Sequence, residues 1–306
     1  MVTQLNSKKS NLLREVWKKK YAYLFMLPTI ILIGIFSYYP AFSAFYHSFF
    51  QWNGYTPGVY IGWENYKTMV QDPVLIKSIS NMIILLIWGG ILAVTMPLFT
   101  AEMIFWLKSK KTGDIFRFLF VAPVVIPSVV GWLVWRFFYD PTIGLFNTIL
   151  GWLGLPPQTW LGDPNIALYC LMFLGFPWVN GVSMLIYLAG LQNIPSEIFD
   201  SVIVDGANRF TRFFKIDVPL IMGQIKLLII LAVIGSIQGF TLQLIMTNGG
   251  PGYATMVPAL WMYLNGVAFQ KMGYACAIGV SLFIVIFLLT YINTKYIRSG
   301  TEYEGS

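Results

Sequence analysis

Residues 191–220 read LQNIPSEIFDSVIVDGANRFTRFFKIDVPL and stand between two long stretches of sequence without charge. Pro195 and Ser196 are typical of a helix start, and Glu197 places an acid in the first turn, where the helix dipole favours it. Four apolar residues then follow at helical spacing: Ile198, Phe199, Val202 and Ile203. The segment therefore predicts a short amphipathic helix between two apolar regions.

A second short helix is expected after a sharp turn. Gly206 has the residue type that most often ends a helix in the left-handed conformation, and Asn208 is a favourable N-cap for the next helix. That helix is expected to carry its aromatic residues on one side: Phe210, Phe213 and Phe214. Pro219 fits the first turn of the following membrane helix, because that turn needs no N–H donor. These residues alone leave three roles open, namely docking a partner, lying on lipid, or packing against the protein's own helix ends.

The composition of the whole chain excludes a soluble globular enzyme. Of its 306 residues, 57% are hydrophobic and 11% are charged, and the mean hydropathy is +0.67. A soluble domain carries about 25% charged residues. Cys170, Cys276 and His47 do not form a disulfide framework or a cluster with metal-ligand spacing, so no metal site is expected.

Six charge-poor stretches are long enough to cross a membrane, which takes about 20 mostly apolar residues. We therefore predict an all-α membrane protein with six transmembrane helices, near residues 22–46, 81–105, 116–138, 166–189, 222–246 and 272–293. A further apolar stretch over residues 256–269 is too short to span and is expected to lie as a helix at the outer surface.

The distribution of Lys and Arg predicts the orientation. Of the 20 basic residues, 16 fall in the N-terminal segment, the second and fourth connections and the C-terminal tail. By the positive-inside rule these parts are cytoplasmic, and so are both termini. The net charge of +7 is thus typical of membrane orientation, and no nucleic-acid partner is expected. The chain divides into a basic cytoplasmic segment over residues 1–20, a transmembrane domain over 21–294 and a cytoplasmic tail over 295–306.

The segment at 191–219 resembles the EAA signature of permease subunits of binding-protein-dependent ABC importers. That signature reads Glu-Ala-Ala, three residues, Gly, nine residues, then Ile-x-Leu-Pro. The corresponding positions here keep the spacing: Asp200-Ser201-Val202, Gly206 and Ile216-Asp217-Val218-Pro219. Asp205-Gly206-Ala207 is similar to the form found in carbohydrate importers. Asn248-Gly249-Gly250-Pro251 after the fifth predicted helix is similar to the MalF/UgpA-like member of a permease pair.

The resemblance implies the ABC importer type I permease fold, with a coupling helix that sits in a groove of a cytoplasmic ATPase. The residues to which it assigns this coupling are Asp200, Ser201, Val202, Asp205, Gly206, Ala207, Arg209 and Pro219. The implied partners are a second homologous permease (UgpE/MalG-like), a dimeric cytoplasmic ATPase, an extracytoplasmic solute-binding protein and the bilayer of a prokaryotic cell membrane. The sequence has no G-x-x-x-x-G-K-[ST] loop, so ATP and Mg are expected to be used by the ATPase and no catalytic residue or cofactor is expected in this chain.

The solute is expected to be a sugar or an oligosaccharide. Charged residues are nearly absent from the predicted spans, and Glu102 and Arg136 are interpreted as boundary residues, with Glu102 within reach of Lys108. The proposed path residues are aromatic, amide and hydroxyl side chains in the spans: Trp178, Asn180, Ser236 and Gln238. Asn180 and Gln238 are equally compatible with hydrogen bonds between neighbouring helices.

Other functions remain open at this stage. Another uncharged or phosphorylated solute, such as a polyol or glycerol phosphate, is compatible with the same permease. A stand-alone carrier or channel would be expected to show intramembrane charges or inverted halves, and neither is visible. A membrane-embedded enzyme would need a buried nucleophile with its base, whereas His47 stands alone outside the predicted spans.

Overall fold

The computed structural model describes residues 18–204 and 206–296. Asp205, most of the basic N-terminal segment and most of the predicted tail lie outside the described residues. The first half of the described chain contains these helices: α1 Lys20–Ile33, α2 Tyr39–His47, α3 Glu64–Gln71, α4 Pro73–Val94, α5 Met96–Phe105, α6 Lys110–Val121, α7 Ser128–Phe138 and α8 Leu145–Trp152. The second half contains these: α9 Ala167–Phe173, α10 Gly181–Gln192, α11 Ser196–Val204, α12 Arg209–Arg212, α13 Val218–Leu220, α14 Met222–Gln238, α15 Thr241–Met246, α16 Pro258–Tyr263 and α17 Met272–Tyr296.

Short irregular turns and one hairpin complete the architecture. Three π-helical turns lie at Gly34–Tyr38, Phe213–Asp217 and Leu264–Ala268, and two 3₁₀ turns at Ala122–Val125 and Trp160–Gly162. Strands β1 Phe50–Gln51 and β2 Val59–Tyr60 pair antiparallel, with Phe50 opposite Tyr60 and Gln51 opposite Val59.

Three helical segments of the described chain are long and apolar enough to cross a membrane on their own. They are Lys20–His47, Pro73–Phe105 and Met272–Tyr296. They match the first, second and sixth predicted spans, although the second begins earlier than predicted, at Pro73. Two further candidates are bent pairs, with 88° between Lys110–Val125 and Ser128–Phe138 and 71° between Arg209–Leu220 and Met222–Gln238.

The predicted third and fifth helices are interrupted. In the third, Ile126 adopts an extended conformation (ψ 125°) immediately before Pro127, because a proline ring disfavours helical geometry in the residue that precedes it. In the fifth, α14 ends at Gln238 and Gly239 is extended (ψ 127°), so residues 241–246 form a separate helix. The prediction of unbroken helices over 116–138 and 222–246 is therefore wrong.

The predicted fourth helix over 166–189 is also wrong as a single element. Helix α9 ends at Phe173, and α10 begins only at Gly181. Between them Gly175 has φ 82° and Trp178 has φ 59°, which a continuous right-handed helix does not contain. The chain therefore crosses this region as two helices separated by a non-helical segment over residues 174–180.

The largest buried cluster lies where α5, α10 and α14 pack together. Its members include Leu98, Met184, Tyr187, Leu191 and Ile225. The Tyr187 hydroxyl donates a hydrogen bond of 2.9 Å to the carbonyl of Ala93, which satisfies a polar group that burial would otherwise leave unpaired.

Apolar side chains outside this core face outwards along the spans. Helices α1 and α2 contain no buried residue, and Phe25 is 87% exposed. So much exposed apolar surface on long helices is typical of contact with hydrocarbon or a partner chain. Helix α16, which belongs to the short apolar stretch predicted at the outer surface, is partly buried against the bundle, because Leu260 packs among residues of α4 and the 240–244 region.

Asp72 holds three helices together at the end of the bundle where α4 begins. Its Oδ1 accepts hydrogen bonds from the backbone N–H of Val74 and Leu75, at 2.9 and 3.2 Å. Its Oδ2 accepts from Trp261 Nε1 and from the Tyr274 hydroxyl, both at 2.7 Å. Partial burial acts to raise the pKa of Asp72, but the bonds from Tyr274, Trp261 and the backbone outweigh burial and lower it.

We expect Asp72→Asn to destabilise the fold by about 2–3 kcal/mol, because only one of the two amide atoms can accept hydrogen bonds. Either the backbone N–H groups or the side chains of Trp261 and Tyr274 then face an NH2 group in place of an acceptor. The lowered pKa means that the carboxylate stabilises the fold above about pH 4 and loses that contribution as the pH falls through the folded-state pKa. The gap in thermal unfolding temperature between wild type and Asp72→Asn, measured in detergent, should therefore narrow in acid. Asp114→Asn is the matched control, because Asp114 is exposed and its one ion pair among the described residues is with Arg117. If the difference in unfolding temperature between wild type and Asp72→Asn widened in acid, the stabilising role given to the Asp72 carboxylate would be contradicted.

Candidate functional site

Helix α11 is amphipathic, and its apolar side faces the bundle. Phe199 packs on Phe105 and Trp106 of the α5 end, with ring centroids 5.6 and 5.7 Å apart. Val202 is buried. Asp200 and Ser201 are exposed on the other side, and the Ser201 hydroxyl donates to the carbonyl of Ile198 at 2.8 Å. Of the predicted coupling residues, Asp200 and Ser201 are thus accessible to a partner, whereas Val202 anchors the helix.

The turn after α11 has the predicted geometry. Gly206 has φ 68°, a conformation that side chains with a Cβ rarely adopt. The half-buried Ala207 donates its N–H to the carbonyl of Val202 at 3.3 Å. Asn208 caps the next helix, because its Oδ1 accepts from the Thr211 N–H at 2.8 Å. Asp205 lies outside the described residues.

The aromatic residues of the second helix do not share one side as predicted. Phe213 packs against the main buried cluster, whereas Phe210 and Phe214 are 79% and 66% exposed. Val204 of α11 is 86% exposed. We call these three exposed residues the apolar face of the loop: Val204, Phe210 and Phe214. Large apolar side chains held out in this way mark a surface that a partner or a lipid covers.

Arg212 fixes the second helix to the bundle. Its Nε donates to Asp217 Oδ2 at 2.9 Å, and its guanidinium carbon lies 3.2 Å from the centroid of the Trp106 ring. Asp217 is fully buried. A buried carboxylate is costly unless a cation pairs with it, and stacking on an indole stabilises the guanidinium further. We call this group the arginine clamp: Trp106, Arg212 and Asp217.

Glu102 lies beside the arginine clamp, facing Asp217. It is only 7% exposed, and neither of its carboxylate oxygens has a hydrogen-bond partner among the described residues. Glu102 lies near the end of α5, as interpreted from the sequence, but it faces Asp217, and no ion pair joins it to Lys108 among the described residues. The sequence did not reveal the clamp, although a charged residue two positions before Pro219 in an apolar run is a signal that could have been read.

The remaining predicted coupling residues lie at the edge of this region. Arg209 is exposed and, with Phe210 and Trp106, lines a cavity of about 710 Å³ between α5 and the second helix. Pro219 is exposed in α13, directly before the 71° bend into α14.

The break between α9 and α10 opens a second cavity, of about 610 Å³, whose lining includes Trp178, Asn180 and Ser183. Trp178 Nε1 donates to the carbonyl of Met172 at 3.1 Å. The Asn180 side chain caps α10, because its Oδ1 accepts from the Ser183 N–H at 2.9 Å. We call this space the central cavity.

Only two of the four predicted path residues line the central cavity. Trp178 and Asn180 do, with Gly89 of α4 and Leu231 of α14 among the other walls. Ser236 instead packs against Gly89, with its Oγ 2.9 Å from where a Cβ would lie. Gln238 is exposed at the end of α14. Arg136, near the end of α7, donates to the carbonyl of Ile245 at 3.2 Å.

Residues 93–302 match the protein family described as the binding-protein-dependent transport system inner membrane component. This match covers the loop, the arginine clamp and most of the helices that enclose the central cavity. The chain belongs to this family. It is therefore a component of a transport system that lies in the inner membrane and depends on a binding protein.

Relatives extend the similarity to nearly the whole chain. The chain is 30% identical to the arabinooligosaccharides transport system permease protein AraP of Bacillus subtilis, over 91% of this chain and 88% of that protein. It is 31% identical to the sulfoquinovosyl glycerol transport system permease protein SmoG of Agrobacterium fabrum, over 91% and 90% respectively.

Solved structures show the same fold. A chain of a bacterial ABC transporter involved in the import of the acidic polysaccharide alginate superposes with a TM-score of 0.81 at 23% identity, covering 94% of this chain and 100% of that one. The expected ABC importer type I permease fold is thereby confirmed.

We expect Arg212→Met to lower the stability of the fold by about 3–5 kcal/mol, because it leaves the Asp217 carboxylate buried without its cation. Thermal unfolding in detergent and the rate of proteolysis within residues 196–217 measure the effect. Lys215→Met is the matched control, because Lys215 is exposed and lies in the π-helical turn that also contains Asp217. Adding Asp217→Leu to Arg212→Met should restore part of the loss. Unfolding of Arg212→Met at the wild-type temperature would refute the role given to the clamp.

Proposed function

We propose that this chain is the transmembrane permease subunit of an ATP-driven importer for a sugar or an oligosaccharide. The observation that carries this proposal is the similarity, over nine-tenths of the chain, to permeases named for arabinooligosaccharide and sulfoquinovosyl glycerol transport. The central cavity supports the same class of solute, because an indole ring beside amide and hydroxyl groups suits a hydroxyl-rich ligand.

The chain works in this proposal as a transporter subunit without an ATPase site of its own. ATP and Mg are used by a dimeric cytoplasmic ATPase, and a second homologous permease completes the membrane part. A solute-binding protein delivers the solute from outside. Both termini and the 196–217 loop are cytoplasmic, as the distribution of basic residues predicts.

The loop is the site of ATPase coupling in this proposal. Asp200 and Ser201, together with the apolar face of the loop, are the surface offered to the ATPase. Val202, Gly206 and Ala207 keep the helix and its turn in place, and Arg209 stands at the rim. Because the arginine clamp attaches the loop to α5, a push on the loop reaches the bundle at Trp106, and Pro219 marks the bend where α14 can follow.

The central cavity is the solute path in this proposal. Trp178 and Asn180 contact the solute, and both are held in position by hydrogen bonds to the chain around them. Ser236 acts on the path through Gly89, which lines the cavity. Gln238 is exposed at the end of α14, and in this proposal it contacts the solute where the second permease closes the path.

The direct test is uptake by the complete transporter. The chain is produced together with the ATPase, the second permease and the binding protein of its transporter, and the complex is reconstituted in liposomes with internal ATP. The liposomes are supplied with radiolabelled mono- and oligosaccharides, a polyol and glycerol phosphate. We expect ATP-dependent uptake of at least one saccharide, and none without this chain. If only the polyol or only glycerol phosphate were taken up, that compound would replace a sugar as the proposed substrate. Uptake without ATP would overturn the importer proposal.

We expect Asp200→Lys to reduce co-purification of the ATPase and solute-stimulated ATP hydrolysis at least about tenfold, because it reverses a charge at the centre of the docking surface. Membrane insertion should be unchanged, because the Asp200 side chain is exposed. Asp114→Lys, an exposed charge reversal on α6, is the control and should keep the ATPase bound. Equal co-purification for wild type and Asp200→Lys would remove Asp200 from the interface.

We expect Trp178→Ala to reduce sugar uptake at least about tenfold while the ATPase stays bound, because the change removes the aromatic wall of the central cavity. Trp178→Phe keeps a ring but loses the hydrogen bond to Met172, so its sugar uptake should lie between that of the wild type and that of Trp178→Ala. Trp152→Ala is the control, since Trp152 is 79% exposed and lies outside the cavity. Wild-type uptake by Trp178→Ala would exclude Trp178 from the path.

A further inference from the structure

A further cavity lies at the end of the bundle opposite the loop, and we call it the outer cavity. It has a volume of about 690 Å³ and lies between the β1–β2 hairpin, α3, the Asp72 cap of α4, the α16 region and the start of α17. It shares no lining residue with the central cavity. Its volume is in the range of about 300–1,000 Å³ that small-molecule sites occupy.

Two largely buried amide side chains on its wall turn their acceptor oxygens to the cavity. Asn265 is 3% exposed and Asn65 is 8% exposed. Asn265 donates its Nδ2 to the carbonyl of Trp261 at 2.9 Å, and Asn65 donates its Nδ2 to the carbonyls of Ser48 and Phe50 at 2.8 and 3.0 Å. These bonds fix which amide atom is oxygen, and neither Oδ1 accepts a hydrogen bond from any described residue. Neither oxygen is among the fully enclosed unpaired atoms, so each is open to the cavity and can accept a hydrogen bond from a ligand or from water.

Rigid aromatic residues complete the wall. Trp261 and Tyr274 are held by their bonds to Asp72. The Trp52 indole is stacked on the His47 imidazole, with ring centroids 3.9 Å apart. The wall between hairpin and helix is tight, because the Gly273 N–H donates to the carbonyl of Trp52 at 2.9 Å and a Cβ at Gly273 would overlap the Phe50 carbonyl oxygen. The shape of the cavity is therefore preformed.

The rim of the outer cavity is polar and carries charges of both signs. Glu64 and Thr68 of α3 lie on one side, and Gln270 and Lys271 lie on the other. Fixed acceptors at depth, aromatic walls and a rim with both donors and acceptors suit a neutral ligand with many hydroxyl groups. They do not suit a hydrocarbon chain, because it would leave the two amide oxygens unpaired.

We propose that the outer cavity is a saccharide-binding subsite that holds part of the solute before it enters the central cavity. This proposal rests on the proposed sugar-importer function. Saccharide hydroxyls donate to Asn65 Oδ1 and Asn265 Oδ1, and the ring lies against the aromatic wall. The subsite deepens the specificity of the permease itself, separately from that of the binding protein.

The first experiment measures occupancy by cysteine protection in the complete transporter without its binding protein. Thr68→Cys places a thiol on the rim, and Val70→Cys on the same helix is the control, because Val70 is 76% exposed and does not line the cavity. Both variants carry Cys170→Ala and Cys276→Ala. The probe is whichever saccharide the uptake assay has shown to be transported. We expect that saccharide to slow maleimide labelling of Thr68→Cys at least about threefold, a change equivalent to occupancy of two-thirds of the sites, and to leave Val70→Cys unaffected.

The second experiment fills the cavity without removing any hydrogen bond. Thr68→Trp adds an indole ring at the rim of the outer cavity, and Val70→Trp adds the same ring at a position that does not line the cavity. We expect Thr68→Trp to raise the KM for uptake about tenfold, equivalent to about 1.4 kcal/mol of binding free energy, with basal ATP hydrolysis unchanged. Val70→Trp should transport as wild type.

The possible outcomes separate this inference from the proposed function. If a saccharide is transported but labelling of Thr68→Cys is equal with and without it, or KM is unchanged in Thr68→Trp, the outer cavity holds only water and the subsite is refuted while the importer stands. If no saccharide is transported by the wild type, the proposed function fails and the subsite fails with it.

Discussion

Inside a bilayer every backbone N–H and C=O group must find its partner within the protein, and this constraint governs where the chain can leave the helical conformation. The break over residues 174–180 is possible because side chains replace the missing helical bonds. Trp88 and Trp178 both donate to the carbonyl of Met172, at 3.0 and 3.1 Å, and Asn180 caps the next helix. Two of the residues that stabilise the break, Trp178 and Asn180, also line the central cavity, so the break and the polar wall of the cavity arise together.

The second constraint on the structure is the attachment of the loop to the bundle. An amphipathic helix that only rested its apolar side on the helix ends would be free to slide, since apolar contact has no preferred direction. The arginine clamp removes that freedom, because a guanidinium bound to a buried carboxylate and stacked on an indole has one favourable geometry. The exposed side of the loop is thus presented in a fixed orientation, as a docking surface requires.

Sequence reasoning succeeded where the signal is local and failed where it depends on contacts between distant residues. The start of α11, the left-handed turn at Gly206 and the Asn208 cap follow from residue types within one turn of helix, and the structure confirms them. The fourth span was predicted as unbroken because residues 166–189 carry no charge, and hydropathy does not distinguish a broken span from a continuous one. The neighbours of Ser236 and Glu102 could not be predicted from the sequence for a related reason. Whether a polar residue faces a cavity, a neighbouring glycine or a buried carboxylate depends on helix rotation, which distant packing decides.

One pair of helices, α4 and α5, connects the three polar regions of the molecule. Asp72 caps α4 at the outer cavity, Gly89 and Ala93 of α4 line the central cavity, and Glu102 and Trp106 at the end of α5 lie at the arginine clamp. The break between the two helices at Thr95 is short, and the Thr95 N–H and hydroxyl both donate to the carbonyl of Ile91, at 3.0 and 2.8 Å. The joint between the two helices is therefore partly hydrogen-bonded. Because α5 packs on α10 through Met184, Tyr187 and Leu191, we expect a movement of α5 to be passed on to α10, the helix that Asn180 caps. Close packing of this kind favours two discrete arrangements over gradual deformation, and two arrangements are what alternating access requires.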